Sequence, residues 1–386
     1  MKRYLILLSA VGMQLCLGAT YSWSVYVAPL KQVTGLQQGP VQLPFSVFYF
    51  AFPATMFFSG SLLPRIGPRR AALLGGVLFG GGWLLASLGK LHFVFTVAGI
   101  GLLAGVGAGF AYIVPIATCI QWFPKYKGLV TGVAVAGFGG GAALVSQFAG
   151  YWMHSRGATP FETFGMLGLI FLILISGAAL SMAAPPEAHR RFVQPLKLGE
   201  AWSKKTFRVL YLAMLAGLAA GFTVNANLKE LSSGQTVQTG ITAVALFAVA
   251  NAVGRLSWGL IFDRVRSATA IQANLICQAV LLCSAPVLLG LKSGFLVFAF
   301  LAGFNYGGVL VVYASSTARI WGNDRVGQVY AWLFSANIPA ALAPMLAGYG
   351  YDRLGSFTPP LLSIAALLGA AVLLVRKKGA LINESS

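Results

Sequence analysis

Long apolar runs alternate with short polar segments along the whole chain of 386 residues. Each run has about the 20 residues that a helix needs to cross the hydrocarbon core of a bilayer. Breaking the chain at clusters of charged residues, proline and glycine predicts twelve transmembrane helices. The predicted spans are 4–29, 43–63, 71–90, 93–120, 128–153, 163–183, 207–228, 236–261, 268–290, 294–318, 327–350 and 357–375.

The beginning of the chain has the pattern of a signal peptide, because Lys2 and Arg3 precede an apolar run. That run continues to Pro29, however, and is longer than the apolar core of a signal peptide. We therefore interpret residues 4–29 as a first transmembrane helix that stays in the mature protein.

One long polar stretch, residues 184–206, lies between the sixth and seventh spans and contains three prolines. It predicts a linker between two halves of similar length. The expected architecture is an all-α integral membrane protein with twelve helices in two pseudo-symmetric six-helix bundles. The expected domains are an N-terminal bundle (1–183), a cytoplasmic linker (184–206) and a C-terminal bundle (207–386).

The composition excludes a soluble protein. Hydrophobic residues make up 58% of the chain and charged residues 9%, against about 25% charged in ordinary globular domains. The 27 Lys and Arg residues outnumber the 8 Asp and Glu residues, which on a polar surface would indicate nucleic-acid binding. Here the cations stand singly or in short clusters between apolar runs. The expected partner is therefore the lipid bilayer and not nucleic acid.

The positions of the cations predict the orientation. With the N-terminus inside, cytoplasmic segments hold 20 of the 27 Lys and Arg residues, outer loops hold 6, and Arg255 remains within a span. We expect a multi-pass protein of the inner (plasma) membrane with both termini in the cytoplasm.

Two motifs recur at one spacing, which indicates an internal duplication. The polar turn that begins at Gly60 after the second span recurs at Gly259 after the eighth, 199 residues later. The segment from Trp122 to Gly128 recurs from Trp321 to Gly327 with the same spacing. Copies of the turn also follow the eleventh span and, more weakly, the fifth. Duplicated halves of six helices are typical of secondary transporters.

With these motifs the chain resembles the major facilitator superfamily along essentially its whole length. The turn after the second span matches that family's Gly-x-x-x-Asp-Arg-x-Gly-Arg-Arg signature, except that Pro64 stands where the acid belongs. The second copy keeps the acid, so it could pair with a neighbouring helix end in one gating state. Topogenic positive charge would explain the arginines of the first copy equally well. The candidate gating residues are Gly60, Arg65, Gly67, Arg69, Arg70, Gly259, Asp263 and Arg264.

Within the superfamily the chain resembles the bacterial oxalate/formate antiporters and the related monocarboxylate transporters. The resemblance is carried by the first-helix block from Gly18 to Lys31, by Tyr112 and the Trp122-Phe-Pro segment, and by the block from Asn251 to Gly259. It implies a transporter of small organic anions with a substrate site near the midplane, and not an enzyme.

Arg255 is the strongest candidate for binding substrate. A charge within a membrane span is costly and mostly marks a substrate or ion path, although a side chain near the end of a span can also snorkel to the interface. A guanidinium can donate two parallel hydrogen bonds to a carboxylate. The resemblance supports this role, because the family's substrate-binding basic residue in helix 8 aligns with Arg255.

The resemblance also implies aromatic and polar side chains around the substrate, although each aromatic could serve ordinary packing. In the dicarboxylate antiporter a second basic residue stands in helix 11, where this chain has Asn337. One cation balances one carboxylate, so we expect lactate, pyruvate, formate or a short fatty acid; oxalate or nitrate are the alternatives. The remaining candidate residues are Thr20, Tyr21, Tyr112, Phe138, Asn251, Tyr306, Phe334 and Asn337.

The coupling of transport stays open at the level of sequence. The eight acids all fall in loops, tails or helix ends, and Asn251 stands where animal carriers have an acid. Glu230, at the outer end of helix 7, is a peripheral candidate for carrying a proton. Proton symport, exchange for a counter-anion and facilitated diffusion all remain possible. The resemblance implies a monomer. We expect neither cofactor nor metal, because no metal-ligand or nucleophile pattern appears.

Overall fold

The computed structural model describes residues 2–36, 38–186, 196–228, 231, 237–377, 379 and 382. Within these residues the regular structure is helical, and eleven helical segments are long and apolar enough to cross a membrane. Helices suit this setting because they satisfy their own backbone hydrogen bonds where lipid offers none. Glu230 and residues 187–195 of the predicted linker lie outside the described residues.

The chain forms two compact units. Unit 1 contains Met1–Pro124, Ala134–Pro195 and Asp324–Phe334, and unit 2 contains Lys125–Val133, Leu196–Asn323 and Ser335–Ser386. Each unit thus takes one short segment from the opposite half of the sequence. The division into bundles 1–183 and 207–386 with a linker at 184–206 stays a prediction, and part of that linker forms a short helix.

The helices of unit 1 include a long one, α3, and an irregular one in which a π-helical stretch, Val97–Ala104, joins two α-helical parts. α7 begins in unit 2 and continues in unit 1. The helices are α1 (Lys2–Leu17), α2 (Ser24–Thr34), α3 (Gln38–Ser87), α4 (Val94–Thr96), α5 (Gly105–Ala111), α6 (Ile113–Trp122), α7 (Lys127–Ser155), α8 (Pro160–Ala179) and α14 (Val326–Phe334).

Among the described residues of unit 2, four helices of 22 to 30 residues are each long enough to span a bilayer without interruption. The helices are α9 (Leu198–Ser203), α10 (Lys205–Ala226), α11 (Val237–Arg264), α12 (Ser267–Leu288), α13 (Lys292–Trp321), α15 (Asn337–Ala340), α16 (Ala343–Leu354) and α17 (Thr358–Lys377).

α3 is two spans separated by a sharp break. Its 50 residues would extend about 75 Å as one helix, more than twice the hydrocarbon thickness. Gly67 interrupts it with φ 78° and ψ 162°, a backbone conformation that side chains other than glycine rarely adopt. The break agrees with the two predicted spans 43–63 and 71–90 and with the turn expected between them.

Two predicted spans are less regular than expected. The span 4–29 contains a 3₁₀ turn at Gly18–Ser22 between α1 and α2. The span 327–350 is divided into α14, α15 and α16. Pro339 and Pro344 account for much of this division, because proline cannot donate a helical hydrogen bond. Each span is predicted from the apolar character of a whole segment, which does not reveal such local breaks.

Large aromatic side chains fill the centre of unit 1. Trp83, Tyr26 and Phe164 are fully buried, and the Phe164 ring lies 4.9 Å from Tyr26 and 5.7 Å from Trp83 between centroids. α8, which carries Phe164, begins with a capping box in which Thr159 and Glu162 bond each other's backbone amides. This cap fixes the first turn of the helix that supplies the central ring.

Unit 2 is held together by close backbone contact and by a buried polar network. A Cβ at Gly307 in α13 would overlap the carbonyl of Asn251 in α11. On the other side of α13, the amide of Asn274 donates to the carbonyl oxygen of Asn305 over 2.9 Å, and Gln278 donates to Asn274 over 2.8 Å. Small residues and interhelical hydrogen bonds are the usual means of helix association in lipid.

Replacing Gly107 by alanine tests the close contact between α5 and α3. The added Cβ would lie 2.7 Å from the carbonyl oxygen of Gly75, so one helix must move. We expect a loss of about 1–3 kcal/mol, measured as a lower unfolding temperature in detergent. Gly81→Ala is the matched control, because no atom lies within 4 Å of its Cβ position. An unchanged unfolding temperature for Gly107→Ala would show that the helices are not in close contact.

Candidate functional site

Arg255 lies inside unit 2 and not at a surface. It sits in α11, nine residues before the helix ends at Arg264, and its exposed fraction is 3%. A snorkelling side chain would instead extend its guanidinium to the surface. The structure therefore gives a buried guanidinium that needs a polar environment, and this is the situation in which an intramembrane charge marks a functional position.

Two glycines from different helices contact the backbone of Arg255. A Cβ at Gly132 in α7 would lie 2.5 Å from its carbonyl oxygen, and a Cβ at Gly307 in α13 would lie 3.2 Å from its amide nitrogen. Asn251, one turn earlier, is half-buried, and its carbonyl also faces Gly307. Arg255 is thus held between α7 and α13 by its main chain.

Tyr306 lies next to Gly307 in the same helix. Its ring covers Gly221 of α10, where an added Cβ would overlap it. The ring centroid is 5.8 Å from Phe222 and 6.2 Å from Phe247. Since Phe247 and Asn251 belong to neighbouring turns of α11, the predicted site residues Arg255, Asn251 and Tyr306 all lie along the α11–α13 contact.

Four of the other predicted residues form an aromatic cluster in unit 1. Phe138 lies 5.0 Å from Tyr21 and 5.5 Å from Tyr112, both edge-on, and Phe334 lies 5.4 Å from Tyr112. Tyr112, Phe138 and Phe334 are buried, whereas Tyr21 is 38% exposed. The cluster therefore combines three buried rings with one ring that reaches a surface.

The sequence analysis missed two members of this cluster. Phe52 lies 5.2 Å from Tyr112 and 5.4 Å from Phe334, and Tyr49 stacks on Tyr21 at 5.6 Å. Both come from α3, where aromatic residues stand at positions 45, 48, 49 and 52. That spacing places them on one helix face, and it is the signal that could have identified them.

Thr20 and Asn337 are the remaining predicted substrate residues. Thr20 is buried in the 3₁₀ turn of unit 1, where its hydroxyl donates to the carbonyl of Leu17 over 3.5 Å. Asn337 begins α15 in unit 2 and is half-buried.

The second copy of the loop motif binds a helix end. The carboxylate of Asp263 accepts from the amides of Gly128 and Leu129 over 2.8 and 2.9 Å. These amides belong to the first turn of α7. Amides in the first turn of a helix have no acceptor within the helix, and this end of the helix carries partial positive charge. Close contact between Gly128 and Gly259, one turn before Asp263, lets the two helices approach. The neighbouring Arg264 is exposed.

Arg319 binds the opposite kind of helix end. At the end of α13 its guanidinium donates to the carbonyl oxygens of Val265 and Phe262 over 2.7 and 3.0 Å and lies 4.0 Å from the Phe262 ring. Phe262 lies in the last turn of α11 and Val265 directly follows the helix, where carbonyl oxygens lack the amide partner four residues further on. A cation is favourable there because the C-terminal end of a helix carries partial negative charge.

The first copy of the loop motif, in unit 1, makes a neutral contact. Gly60 of α3 meets Ala331 of α14, and the indole of Trp332 donates to the hydroxyl of Ser61 over 3.0 Å. Pro64, at the position equivalent to Asp263, has no acceptor side chain. The remaining members of the motif are the break at Gly67 and the exposed Arg65, Arg69 and Arg70.

Taken together, the helices and the buried arginine define a multi-pass membrane protein. The model of the Major Facilitator Superfamily matches residues 8–344, and the chain belongs to this superfamily. It is therefore a transporter and not an enzyme, as the sequence predicted.

Curated relatives of similar length are about a quarter identical to this chain. An uncharacterized MFS-type transporter, YhjX, of Escherichia coli (strain K12) is 25% identical, over 86% of this chain and 84% of its own. The oxalate:formate antiporter of Oxalobacter formigenes and the apicoplast pyruvate carrier 1 of Toxoplasma gondii are each 24% identical, over 88% of this chain and 82% of theirs.

A solved structure confirms the fold. The crystal structure of FucP, a Major Facilitator Superfamily transporter, in the outward conformation, has a TM-score of 0.76 to this protein. The alignment covers 98% of this chain and 99% of FucP with 13% sequence identity. The all-α membrane fold predicted from the sequence is thus confirmed.

Replacing Arg319 by glutamine tests its role at the end of α11. Loss of two charge-assisted hydrogen bonds should destabilise the protein by about 2–3 kcal/mol, measured by thermal unfolding in detergent. Hydrogen exchange in peptides around 258–266 should also rise. Arg319→Lys keeps the positive charge but loses the planar guanidinium that donates two hydrogen bonds at once, so we expect about half the loss of stability. Equal stability of all three proteins would contradict a capping role.

Proposed function

We propose that this protein transports small monocarboxylates such as lactate, pyruvate or formate by alternating access, with the substrate carboxylate bound to Arg255. The observation that carries the proposal is the burial of this guanidinium within a membrane-spanning helix. An anionic substrate would compensate a charge that lipid and apolar side chains cannot. Two of the relatives, an oxalate:formate antiporter and a pyruvate carrier, support small carboxylates as the substrate class.

The resemblance assigns aromatic side chains to the rest of such a substrate. Aromatic faces exclude water, and a phenol can donate to a carboxylate oxygen. We assign the substrate contacts to Tyr21, Tyr112, Phe138, Phe334 and Tyr306, as the resemblance implies.

The uncharged side chain of Asn337 is an argument for a substrate with one carboxylate. A side chain without charge at this position leaves Arg255 to balance a single negative charge, and a second carboxylate would lose hydration without gaining a cation. The runner-up function is exchange of a dicarboxylate such as oxalate, which the name of the antiporter relative favours.

The proposed orientation follows the positive-inside rule. Both termini lie in the cytoplasm. The protein is a monomer in the inner (plasma) membrane of the cell. The loops that carry Arg69 and Asp263 are then cytoplasmic. Proton symport, exchange for a counter-anion and facilitated diffusion are the three modes open to it, and transport with and without a pH gradient or a counter-anion distinguishes them.

Counterflow of labelled lactate into proteoliposomes loaded with unlabelled lactate tests the role of Arg255. We expect Arg255→Ala to reduce the rate by roughly 100-fold, the effect of removing one member of a buried ion pair. Arg255→Lys should retain part of the activity because it keeps the charge but not the fork. Arg353→Ala is the matched control, since Arg353 is exposed. Equal rates in the wild type and Arg255→Ala would refute the assignment.

Substituting Asn337 by lysine tests the selectivity. A second cation should improve competition by oxalate against lactate counterflow by about tenfold, the effect of one charge-assisted hydrogen bond. Asn337→Gln keeps the amide and should leave competition unchanged. If oxalate already competes more strongly than lactate in the wild type, the dicarboxylate alternative is correct.

A further inference from the structure

The junction between α9 and α10 carries a cluster of exposed cations. Residues 196–212 contain Lys197, Lys204, Lys205 and Arg208 but one acid, Glu200. All four cations are exposed. The Glu200 carboxylate accepts from the backbone amide of Lys197 over 3.3 Å and so caps the first turn of α9. The junction therefore has an excess of positive charge at its surface.

The stability of α10 does not explain these cations. Lys204 directly precedes the helix, Lys205 and Arg208 lie within its first four residues, and its first turn contains no acid. The N-terminal end of a helix carries partial positive charge, so cations are unfavourable there. Three cations at this end are therefore best compensated by an anion from outside the helix.

An exposed apolar pair lies beside the cations. Leu198 and Trp202 stand four positions apart on one face of α9, and they are 39% and 48% exposed. The Trp202 ring packs edge-on against Phe207 and Tyr211 of α10, at 5.6 and 5.4 Å between centroids. This indole is therefore fixed to the beginning of a membrane-spanning helix. Tryptophan in such a place is typical of the boundary between membrane and water.

The cations of α10 lie at the level where an exposed apolar surface begins. Lys205, Arg208 and Leu212 stand at positions i, i+3 and i+7 and share one helix face, and Leu212 is 51% exposed. The segment Lys205–Ala226 is long and apolar enough to cross a membrane. Arg208 precedes Leu212 by about 6 Å along the helix axis. Its guanidinium is therefore expected close to the boundary between lipid tails and headgroups.

We propose that this junction binds the anionic headgroups of phospholipids. We call the binding surface, formed by Leu198, Trp202, Lys204, Lys205 and Arg208, the interfacial surface. Its cations bind the headgroup phosphates, and its apolar pair lies among the first carbons of the acyl chains. Clusters of Lys and Arg beside a membrane span attract anionic lipid. The inference concerns the lipid partner and goes beyond the proposed transport function.

The apolar pair decides between two sources of the same chemistry. A free phosphate ion would satisfy the cations alone and would leave Leu198 and Trp202 exposed to water. A phospholipid offers its phosphate to the cations and its acyl chains to the apolar pair at the same time. The combination therefore favours a lipid over a dissolved anion.

Quenching of Trp202 fluorescence by brominated lipids tests the proposal on the full-length protein in proteoliposomes. The vesicles contain brominated phosphatidylglycerol or brominated phosphatidylcholine at the same mole fraction, in unbrominated phosphatidylcholine. Bromine on the acyl chains quenches the indoles that it contacts. Because the chain has eight tryptophans, each protein is measured with and without Trp202→Phe, and the difference gives the contribution of Trp202.

We expect the wild type to prefer phosphatidylglycerol, and Lys205→Gln/Arg208→Gln should reduce the preference by about fivefold for each cation removed. Lys205→Arg/Arg208→Lys is the matched control, because it keeps both charges and should keep the preference. Lys292→Gln/Arg353→Gln removes two exposed cations from other helices and should leave quenching of Trp202 unchanged. This second control separates the position of the charges from the net charge of the protein.

Salt provides a measurement that needs no variant. Dissolved ions screen exposed charges, so sodium chloride should weaken the preference of the wild type for phosphatidylglycerol. Sodium phosphate at the same ionic strength should have the same effect. Loss of the preference in phosphate but not in chloride would overturn the proposal, because the cations would then form a site for free phosphate.

Three further results would overturn the proposal. Equal quenching of Trp202 by the two lipids in the wild type would leave the cations with a topogenic role alone. No quenching by either lipid would show that the interfacial surface faces water or another protein. A preference that survives Lys205→Gln/Arg208→Gln would not come from these cations. Lactate counterflow does not enter the experiment, so failure of the proposed function leaves its result unaffected.

Discussion

Close contact between helix backbones is the constraint on which the rest of this structure depends. Lipid is as apolar as the side chains of leucine or valine, so burial of apolar surface contributes little to helix association in a bilayer. The helices instead approach where glycine lets one backbone touch another, as at Gly307 against Asn251 and at Gly128 against Gly259. These contacts also determine where the functional side chains stand, since Arg255 is held by its main chain between two such glycines.

Charge has a second and more local role. Most of the cations follow the loops, but Asp263 and Arg319 lie at helix ends and neutralise backbone groups there. The carboxylate binds the positive end of α7 and the guanidinium binds the negative end of α11. A membrane protein with few acids thus uses one of them where two backbone amides would otherwise lack partners.

The sequence predicts this fold well because hydropathy and charge act over whole spans. The apolar runs, the break around Gly67 and the repeat at 199 residues are all properties of long segments. The 3₁₀ turn at Gly18–Ser22 and the division after Phe334 are not, since they depend on one or two residues within an apolar run. Helix α9 falls within the predicted linker because a helix of six residues leaves little hydrophobic periodicity in the sequence.

The candidate site was only partly accessible from sequence. Arg255 could be selected because a single charge in a span is conspicuous, and several aromatics followed from a family resemblance. Phe52 could not be separated from its many aromatic neighbours without knowing which helix face it shares. The partner of Asp263 is a pair of backbone amides, which no side-chain pattern reveals. Gly132 contacts the backbone of Arg255 because it has no Cβ, and no sequence pattern reveals that contact either.

The proline at position 64 has a consequence for how the two copies of the loop motif respond to their surroundings. A carboxylate is screened by dissolved ions, whereas a proline ring and the indole–hydroxyl bond between Trp332 and Ser61 carry no charge to screen. High ionic strength therefore weakens the contact made by Asp263 and leaves its counterpart in unit 1 unchanged. Two segments of similar sequence thus differ in whether the salt of the surrounding solution acts on the contact that each one makes.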